Sequence, residues 1–349
     1  MAEINPGFGR ELKKYGAFDF NACYNCGNCT AVCNLSTKSF TFPRDMIRMS
    51  VLGLKSEIQS SLTPWLCYYC GDCSTHCPQN ANPGELMMSL RRWLTAQYDW
   101  TNLSGLLYKS FTVTIVSFIL IALGVIMFSI RENFNPEKIM RAGHMFEMIA
   151  ISIVFVIILA PNIIRMWIYT VRGQKKKIEV SDYVSGLSDL IINMFTQKKS
   201  LSCEGARFRW FEHLILVFGY LGLLITTVLF DWFSSSNLVI IFIGYLESLV
   251  ILFVTVHLIY TRLRKKNEIS KFSQPSDWFF IIWLSAMGIT AFAVRLFIDV
   301  DLMENNLWLY ILHMVILVQW ALIIVPFGKW THFLYRSFAI YFAKIKSND

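Results

Sequence analysis

Two patterns of hydrophobic and polar positions divide the chain near residue 106. Before that point, apolar and polar residues are mixed as in a water-soluble domain. Beyond it, six apolar stretches each approach or exceed the ~20 residues that a helix needs to cross a bilayer. They cover about 107–130, 145–171, 211–233, 238–260, 278–298 and 307–327. Because a soluble protein does not contain six such runs in succession, residues 106–349 are predicted to form a six-helix transmembrane bundle.

Residues 1–105 carry helix signals and no alternating strand pattern. Pro43 fits the first position of a helix, and Gly53 is placed to end it. The stretch 82–85, Asn-Pro-Gly-Glu, predicts the cap and first turn of a longer helix that runs to about Tyr98. We therefore predict an all-α chain, with an α-helical head domain over 1–105, called the head, followed by the bundle.

Composition and charge support a membrane location. Hydrophobic residues make up 55% of the chain and charged residues only 16%, whereas about 25% are charged in an average soluble domain. The net charge of +8 lies mainly in the loops after the second and fourth spans and in the C-terminal tail, which membrane topology explains better than nucleic-acid binding. Residues 1–20 lack a secretory signal. Both termini and the head are therefore predicted on the cytoplasmic side of the cytoplasmic membrane.

The long loop between the second and third spans, 172–210, contains an amphipathic segment. One helical face would carry Val184, Leu187, Leu190, Ile191, Met194 and Phe195. Such a face is typical of a helix that lies on the membrane surface. It fits equally well a helix that is packed beneath the head.

Two cysteine runs in the head have the most specific spacing in the chain. Both follow the pattern C-x2-C-x2-C-x3-C, over 23–33 and 67–77. This spacing is typical of two-cluster ferredoxins, in which the fourth cysteine of each run ligates the cluster of the other run. The prediction is one [4Fe-4S] cluster on Cys23, Cys26, Cys29 and Cys77, and a second on Cys67, Cys70, Cys73 and Cys33.

The alternatives to iron–sulfur clusters are weaker. Structural zinc sites rarely use two four-cysteine runs with this spacing. Disulfides would require an oxidising compartment, and nothing in the sequence indicates export. The ninth cysteine, Cys203, is left over and is expected to be inert.

Five histidines lie in or beside the apolar spans, where a b-type haem needs two imidazoles that face each other at one depth. His213, His257 and His332 fall on the cytoplasmic side of the predicted bundle. His313 lies in the outer half of the sixth span, and His144 lies at the outer surface. Ionisable residues within a membrane usually mark function, so at least one haem is predicted. By depth alone, His213 could pair with His257 or with His332.

The sixth span resembles the last helix of the nitrate reductase gamma-subunit family of cytochrome b. The similarity runs from Leu312-His313 through Pro326-Phe327-Gly328-Lys329-Trp330-Thr331-His332. In that family, two histidines on this helix ligate an outer and an inner haem. The resemblance implies that His213 and His332 hold the inner haem. The family's outer partner would lie near Leu223, where there is no histidine, so His313 is a candidate ligand without a partner.

The head resembles the C subunit of heterodisulfide reductase, and the whole chain resembles the C subunits of quinone-interacting membrane-bound oxidoreductase complexes. The resemblance implies an electron relay between the menaquinone pool, b-type haem and the two clusters, and on to soluble flavin and iron–sulfur subunits. It also implies a quinone site. Glu247, near mid-membrane, is the candidate for its proton-handling group, and it fits equally well a protonated residue bonded to the next helix.

The chain contains no glycine-rich dinucleotide motif and no adjacent cysteine pair. It is therefore predicted to bind no flavin itself and to cleave no disulfide, acting as the electron-moving subunit of an oxidoreductase. Two alternatives stay open. One is a membrane anchor with an inactive haem site that docks an iron–sulfur complex, and the other is the quinone-linked subunit of a different respiratory dehydrogenase.

Overall fold

A computed structural model describes residues 3–37, 41–172, 178–202, 207–265 and 271–347. Within these ranges the chain forms helices and no β-strand, which confirms the all-α prediction. Cys203 lies outside the described residues, so its inertness stays a prediction.

The head consists of short helices around one long helix, Pro83–Tyr98, which is called the central helix and is buried along almost its whole length. The short helices are Phe8–Lys13, Asn28–Ala31, Arg44–Leu52, Lys55–Gln59, Thr63–Leu66 and Asp72–Thr75, with a 3-10 turn at Phe20–Ala22. Helix Leu103–Lys109 leads into the bundle. Because the central helix is surrounded on every side, it forms the core of the head.

The central helix begins where the sequence predicts, but with a different cap. Asn82 adopts a left-handed conformation with φ 45°, and its side chain donates to Asp19 at 2.8 Å. The Ser74 hydroxyl accepts from the Gly84 amide at 3.0 Å. Asn82 therefore occupies the cap position without capping, because a side chain from the second cysteine loop takes that role.

Among the described residues, six helices are long and apolar enough to cross a bilayer. The first to sixth membrane helices are Phe111–Arg131, Pro136–Arg172, Arg207–Phe230, Leu238–Leu263, Pro275–Asp299 and Glu304–Lys346. Wider, π-type turns interrupt the second helix at Val154–Leu159 and Ile168–Arg172, and the sixth at Trp320–Ile324. The head packs at one end of the bundle, called the near end. The loops 132–135, 231–237 and 300–303 form the far end.

A proline explains the first π-type turn of the second membrane helix. Pro161 has no amide hydrogen, and its ring crowds the carbonyl of Ile157 four residues earlier. The freed Ile157 carbonyl accepts a hydrogen bond from Trp100 Nε1 at 2.9 Å. Pro326 stands in the same relation to the π-type turn of the sixth helix.

The sixth membrane helix bends after Phe327 and restarts as the C-terminal helix, Thr331–Ser347. This helix returns beneath the head. Tyr335 is fully buried there, with ring centroids 5.2 Å from Trp65 and 5.5 Å from Tyr98. The head and the bundle are therefore joined by a shared core as well as by the chain.

The amphipathic segment forms a helix, Val180–Thr196, followed by a 3-10 turn at Lys198–Ser202. Gly186 packs against Tyr341 of the C-terminal helix, and the Tyr341 hydroxyl donates to the Tyr183 carbonyl at 3.0 Å. The apolar side chains left exposed are Val180, Val184, Leu187, Ile191, Ile192 and Phe195. One face thus packs against the near end, while an apolar face suited to a membrane surface stays open.

Candidate functional site

The two cysteine runs fold into loops of the same shape. Gly27 and Gly71 precede the short helices of the two loops with φ 93° and 96°, a conformation in which a side chain would be strained. The first cysteine of each loop accepts a hydrogen bond on sulfur from the amide two residues later, at 3.4 Å in the first loop and 3.3 Å in the second. The loops therefore present their sulfur atoms in equivalent surroundings.

The eight cysteines of the two runs fall into two groups in space. One small cavity is lined by Cys23, Cys26, Cys29 and Cys77. In the other group, Cys67, Cys70 and Cys33 are the cysteines whose charges would raise the pKa of Cys73 most, ahead of Cys29 of the first group. The fourth cysteine of each run thus stands with the other run, as the crossed arrangement of a two-cluster ferredoxin requires.

The donor set of these groups fits iron–sulfur clusters. Among the described residues, no three His, Cys, Asp or Glu side chains surround one point closely enough to hold a single metal ion. A [4Fe-4S] cluster needs a wider arrangement, since each of its four irons takes one thiolate. Burial raises the pKa of the Cys33 thiol to about 11, so the thiolate form needs a nearby positive charge such as iron supplies. The ligand assignment itself stays a prediction.

A large cavity, called the near cavity, lies between the second cysteine loop and the near end of the bundle. It contains about 1510 Å³ of space, its open mouth included. His213 of the third membrane helix and His332 of the C-terminal helix both line it. Its basic lining residues are Arg91, Arg209, Arg262, Lys329 and Arg336.

The walls of the near cavity fit a b-type haem. Such a haem takes two imidazoles on its iron, and His213 and His332 both face the same space. Its two carboxylates need positive partners, which the basic wall supplies. His213 and His332 as the ligand pair stay a prediction.

Arg91 of the central helix links the second cysteine loop to His332. It is 4% exposed, and its guanidinium donates to the carbonyl oxygens of Pro64, at 2.7 Å, and Cys67. Arg91 Nη1 lies 3.4 and 3.5 Å from the two ring nitrogens of His332. One N–H cannot donate to both nitrogens, so the contact is with the ring as a whole. Burial lowers the pKa of Arg91 to about 10, and the side chain stays charged at neutral pH.

A buried chain of polar groups connects the same loop to the bundle. The Tyr69 hydroxyl donates to Glu85 at 2.9 Å, and Arg92 binds Glu85 at 3.0 Å. Arg92 also lies 3.5 Å from Asp277 of the fifth membrane helix, to which Lys329 binds at 2.7 Å. Because a buried charge is costly without its partner, this network holds the head in one position on the bundle.

The structure does not bring His257 or His144 to the near cavity. His257 Nδ1 contacts Glu212, and His257 is not among the residues that line the cavity. His144 stands at the far end, with its Nδ1 3.7 Å from Asp231. The alternative pairing of His213 with His257 therefore gains no support from the geometry.

Glu247 has a partner on the neighbouring membrane helix. Thr226 Oγ1 donates to its carboxylate at 3.0 Å. The side chain also packs against Gly222, where an added Cβ would collide with it. Glu247 does not line the near cavity, and its proposed role with quinone stays a prediction.

A second cavity, called the far cavity, lies towards the far end of the bundle and contains about 740 Å³. His313 lines it and lies 2.8 Å from the Thr290 hydroxyl through Nδ1. The residues that line this cavity include no second histidine. The structure therefore gives His313 no partner imidazole there.

The sequence analysis did not identify two residues that line these cavities. The first is Arg91, which lies beside Arg92 in a helix with many apolar residues. Two adjacent arginines in such a helix could have indicated a buried charged site. Glu147, which lines the far cavity, lies three residues into the predicted second span. A carboxylate inside an apolar span could have indicated a functional role for Glu147.

Comparison with known proteins supports the interpretation of the head. A family model of the 4Fe-4S dicluster domain matches residues 22–82. A protein of Archaeoglobus profundus that is named as similar to the C subunit of heterodisulfide reductase is 33% identical over 97 residues, which are 28% of this chain and 52% of that protein. The C subunit of the H(2):CoB-CoM heterodisulfide,ferredoxin reductase of Methanothermobacter marburgensis is 34% identical over 76 residues, 22% of this chain and 41% of that protein.

The chain spans about half the length of the curated relatives that it matches. No solved structure matches it. With its two cysteine loops and six candidate membrane helices, the chain is an iron–sulfur protein similar to the C subunit of heterodisulfide reductase. The matched relatives are named as subunits of heterodisulfide reductases or as similar to such a subunit.

Proposed function

We propose that this chain is the membrane electron-transfer subunit of a respiratory oxidoreductase. It relays electrons between the menaquinone pool, a b-type haem on His213 and His332, and two [4Fe-4S] clusters. The observation that carries the proposal is that the second cysteine loop forms part of the wall of the near cavity. Tyr68 and Tyr69 lie between two cysteines of the second run, and they line the same cavity as the two histidines.

Basic residues of the near cavity also hold the second cysteine loop in place. Arg209 donates to the Tyr69 carbonyl at 3.3 Å, and the Arg336 guanidinium lies 5.2 Å from the ring of Tyr68. A haem in this cavity would supply one-electron exchange. The chain's own groups orient it: His213 and His332 offer ring nitrogens, and the arginines offer positive charge to its carboxylates.

The first cysteine group lies at the protein surface, where electrons could leave or enter the proposed relay. Cys26 is exposed, and the side chain of Tyr24 beside it is 59% exposed. A partner protein can therefore approach the first cluster closely. We assign this surface to soluble flavin and iron–sulfur subunits of the heterodisulfide reductase class, since the relatives are named as subunits of such reductases.

The same proposal places the protein in the cytoplasmic membrane, with the head and both termini on the cytoplasmic side. Arg209, Arg262, Lys329 and Arg336 all gather at the near end, beside the head. The far-end loops carry Asp231 and Asp301, and Asp299 is the last residue of the fifth membrane helix. This distribution follows the positive-inside rule.

The proposal is tested by adding a menaquinol analogue to the purified, cluster-loaded chain and recording the haem absorption. We expect one haem per chain that the analogue reduces. His213→Ala and His332→Ala should each abolish the bis-histidine haem spectrum, because each removes one of the two iron ligands. His257→Ala is the matched control and should leave the spectrum unchanged, since His257 lies outside the near cavity.

Each other outcome rejects a defined part of the proposal. A spectrum lost with His257→Ala and retained with His332→Ala would reassign the ligand pair. A chain with both clusters and no haem would reject the relay and leave the membrane-anchor function.

A further inference from the structure

The far cavity has walls unlike those of the near cavity. Its lining is almost wholly apolar, and no arginine or lysine is among the residues that line it. A haem placed there would have no basic partner for its carboxylates and only one histidine for its iron. A flat, uncharged ring with few polar atoms suits these walls better.

Glu147 is the unexplained polar group of the far cavity. The residue is 7% exposed, and its Oε2 atom has no hydrogen-bond partner among the described residues. Burying an unpaired carboxyl oxygen in an apolar bundle is costly. A ligand with a hydroxyl or carbonyl oxygen would give this atom the missing partner.

His313 is a second polar group on the same wall. Its Nδ1 lies 2.8 Å from Thr290 Oγ1, which also lies 2.8 Å from the Ala286 carbonyl oxygen. When the Thr290 hydroxyl donates to Ala286, Nδ1 carries the proton and Nε2 is a hydrogen-bond acceptor. When the hydroxyl donates to Nδ1, Nε2 carries the proton and is a donor. In both tautomers Nε2 remains available to bond a ligand oxygen.

We propose that the far cavity binds the ring of a quinone or quinol, with Glu147 and His313 as its polar contacts. This inference rests on the proposed electron relay and names the site at which the quinone is converted. Quinol oxidation releases two protons and two electrons, QH2 → Q + 2 H+ + 2 e−. The O–H bonds break as the Glu147 carboxylate and His313 Nε2 accept the two protons, and the two electrons would be taken up one at a time by the haem that His213 and His332 would hold in the near cavity.

Two aromatic residues separate the cavities and give the electrons a short path. Tyr220 and Trp320 line both cavities. Trp320 Nε1 donates to the Tyr220 hydroxyl at 3.1 Å, and their ring centroids are 5.7 Å apart. The two cavities are therefore divided by one layer of side chains.

Protons have an exit towards the far end. His144 lies one helical turn before Glu147 on the same face of the second membrane helix. Its side chain is 30% exposed and stands 3.7 Å from Asp231, which is 44% exposed. Glu147 thus lies between the cavity and groups that are accessible at the far end.

The test measures binding of a heptyl-hydroxyquinoline N-oxide, a menaquinol analogue, to the purified full chain by quenching of the probe's fluorescence. Glu147→Leu should weaken binding severalfold, up to about tenfold, because a hydrogen bond between neutral groups contributes about 0.5–1.5 kcal/mol. The same substitution should raise the unfolding temperature, since it removes a buried unpaired oxygen. A structural role alone would not move affinity and stability in opposite directions.

Matched phenylalanine variants test the cavity itself. Ala150 lines the far cavity, and Val156 on the same helix is 68% exposed. Ala150→Phe should fill the space and weaken binding at least as much as Glu147→Leu does. Val156→Phe adds a ring on the outer surface of the bundle and should leave the affinity unchanged.

Four other results would overturn the inference. If Glu147→Leu and Ala150→Phe both left the affinity unchanged, the quinone would bind elsewhere in the chain. The proposed electron relay would not be affected by that result. Weaker binding in Glu247→Leu alone would place it at Glu247. Two haems per chain, one lost with His313→Ala, would show that the far cavity holds haem. Absence of binding to the unaltered chain would reject the quinone-linked function as well.

Discussion

Arg91 carries a buried positive charge into the space between the second cysteine loop and His332. A cation beside an electron carrier favours its reduced form, because reduction adds negative charge. The same guanidinium binds the carbonyl oxygens of Pro64, Trp65 and Cys67. One side chain therefore shapes the loop and would raise the electron affinity of the proposed second cluster and haem.

Replacing Arg91 by Gln should affect both properties. Carbonyl oxygens left unpaired in the core should cost about 1–3 kcal/mol of unfolding free energy. The midpoint potential of the second cluster should fall, because the nearby positive charge is gone. Thermal unfolding and a redox titration followed by electron paramagnetic resonance measure the two effects. Arg48→Gln, at an exposed position of the head, should change neither, and an unchanged potential in Arg91→Gln would contradict the electrostatic role.

The cysteine groups could be predicted from sequence because thiolate spacing within a run is a local property of the chain. The role of Arg91 could not, since its partners Pro64 and His332 lie 27 and 241 positions away. Sequence reasoning offered Glu247 a bond to a neighbouring helix as an alternative, but it could not name Thr226, 21 positions away, as the partner. Residue types in the sequence indicated which chemistry to expect, but only the fold showed which side chains are in contact.

At the scale of elements, the prolines of the second and sixth membrane helices act through the carbonyls that they release. Pro161 frees the Ile157 carbonyl, and Trp100, just after the central helix, takes the vacant acceptor. A local defect in one membrane helix thereby becomes an attachment point for the head. Sequence reasoning found the span but not this contact, because Trp100 lies 57 positions away.

A double-mutant cycle tests this contact. Trp100→Phe should cost about 1 kcal/mol, because the Ile157 carbonyl loses its donor. Pro161→Ala restores an amide hydrogen that can bond Ile157 within the helix. In the Pro161→Ala background, Trp100→Phe should therefore cost much less. Unfolding midpoints of the four proteins in one detergent give the coupling, and equal costs in both backgrounds would show that the tryptophan acts by packing alone.

Hydropathy predicts where the sixth apolar span ends, but it does not predict the helix that follows. The apolar run was predicted to end near residue 327, and the chain does bend there. The C-terminal helix, Thr331–Ser347, was not predicted because its buried face matches the head rather than lipid. Tyr335, Ala339 and Phe342 are buried against head residues far away in sequence.

On the scale of the whole molecule, the head and the bundle share one buried core where they meet. Trp65 and Tyr98 of the head are fully buried, and Tyr335 of the C-terminal helix covers both. Arg92 and Asp277 add a buried ionic contact across the same junction. The cysteine groups of the head and the histidines of the near cavity are therefore held in fixed relative positions.

A head made as residues 1–105 alone should therefore be less stable than the head within the full chain. It would expose the faces of Trp65 and Tyr98 that Tyr335 covers, at a cost that scales with the apolar area uncovered. We expect it to bind a hydrophobic dye and to lose iron several-fold faster. Tyr335→Ala in the full chain should show an intermediate loss. Iron retention equal to that of the full chain would show that the shared core is dispensable.

The single layer formed by Tyr220 and Trp320 has an energetic consequence for the cell. It divides two cavities that lie at different depths, so an electron that crosses it moves through part of the membrane voltage. If the head lies on the negative side, as we propose, electron movement from the far cavity towards the head is opposed by at most about 2.3 kcal/mol per 100 mV for the full membrane thickness. An energised membrane would then bias the proposed relay towards quinone reduction, and a collapsed voltage would favour quinol oxidation.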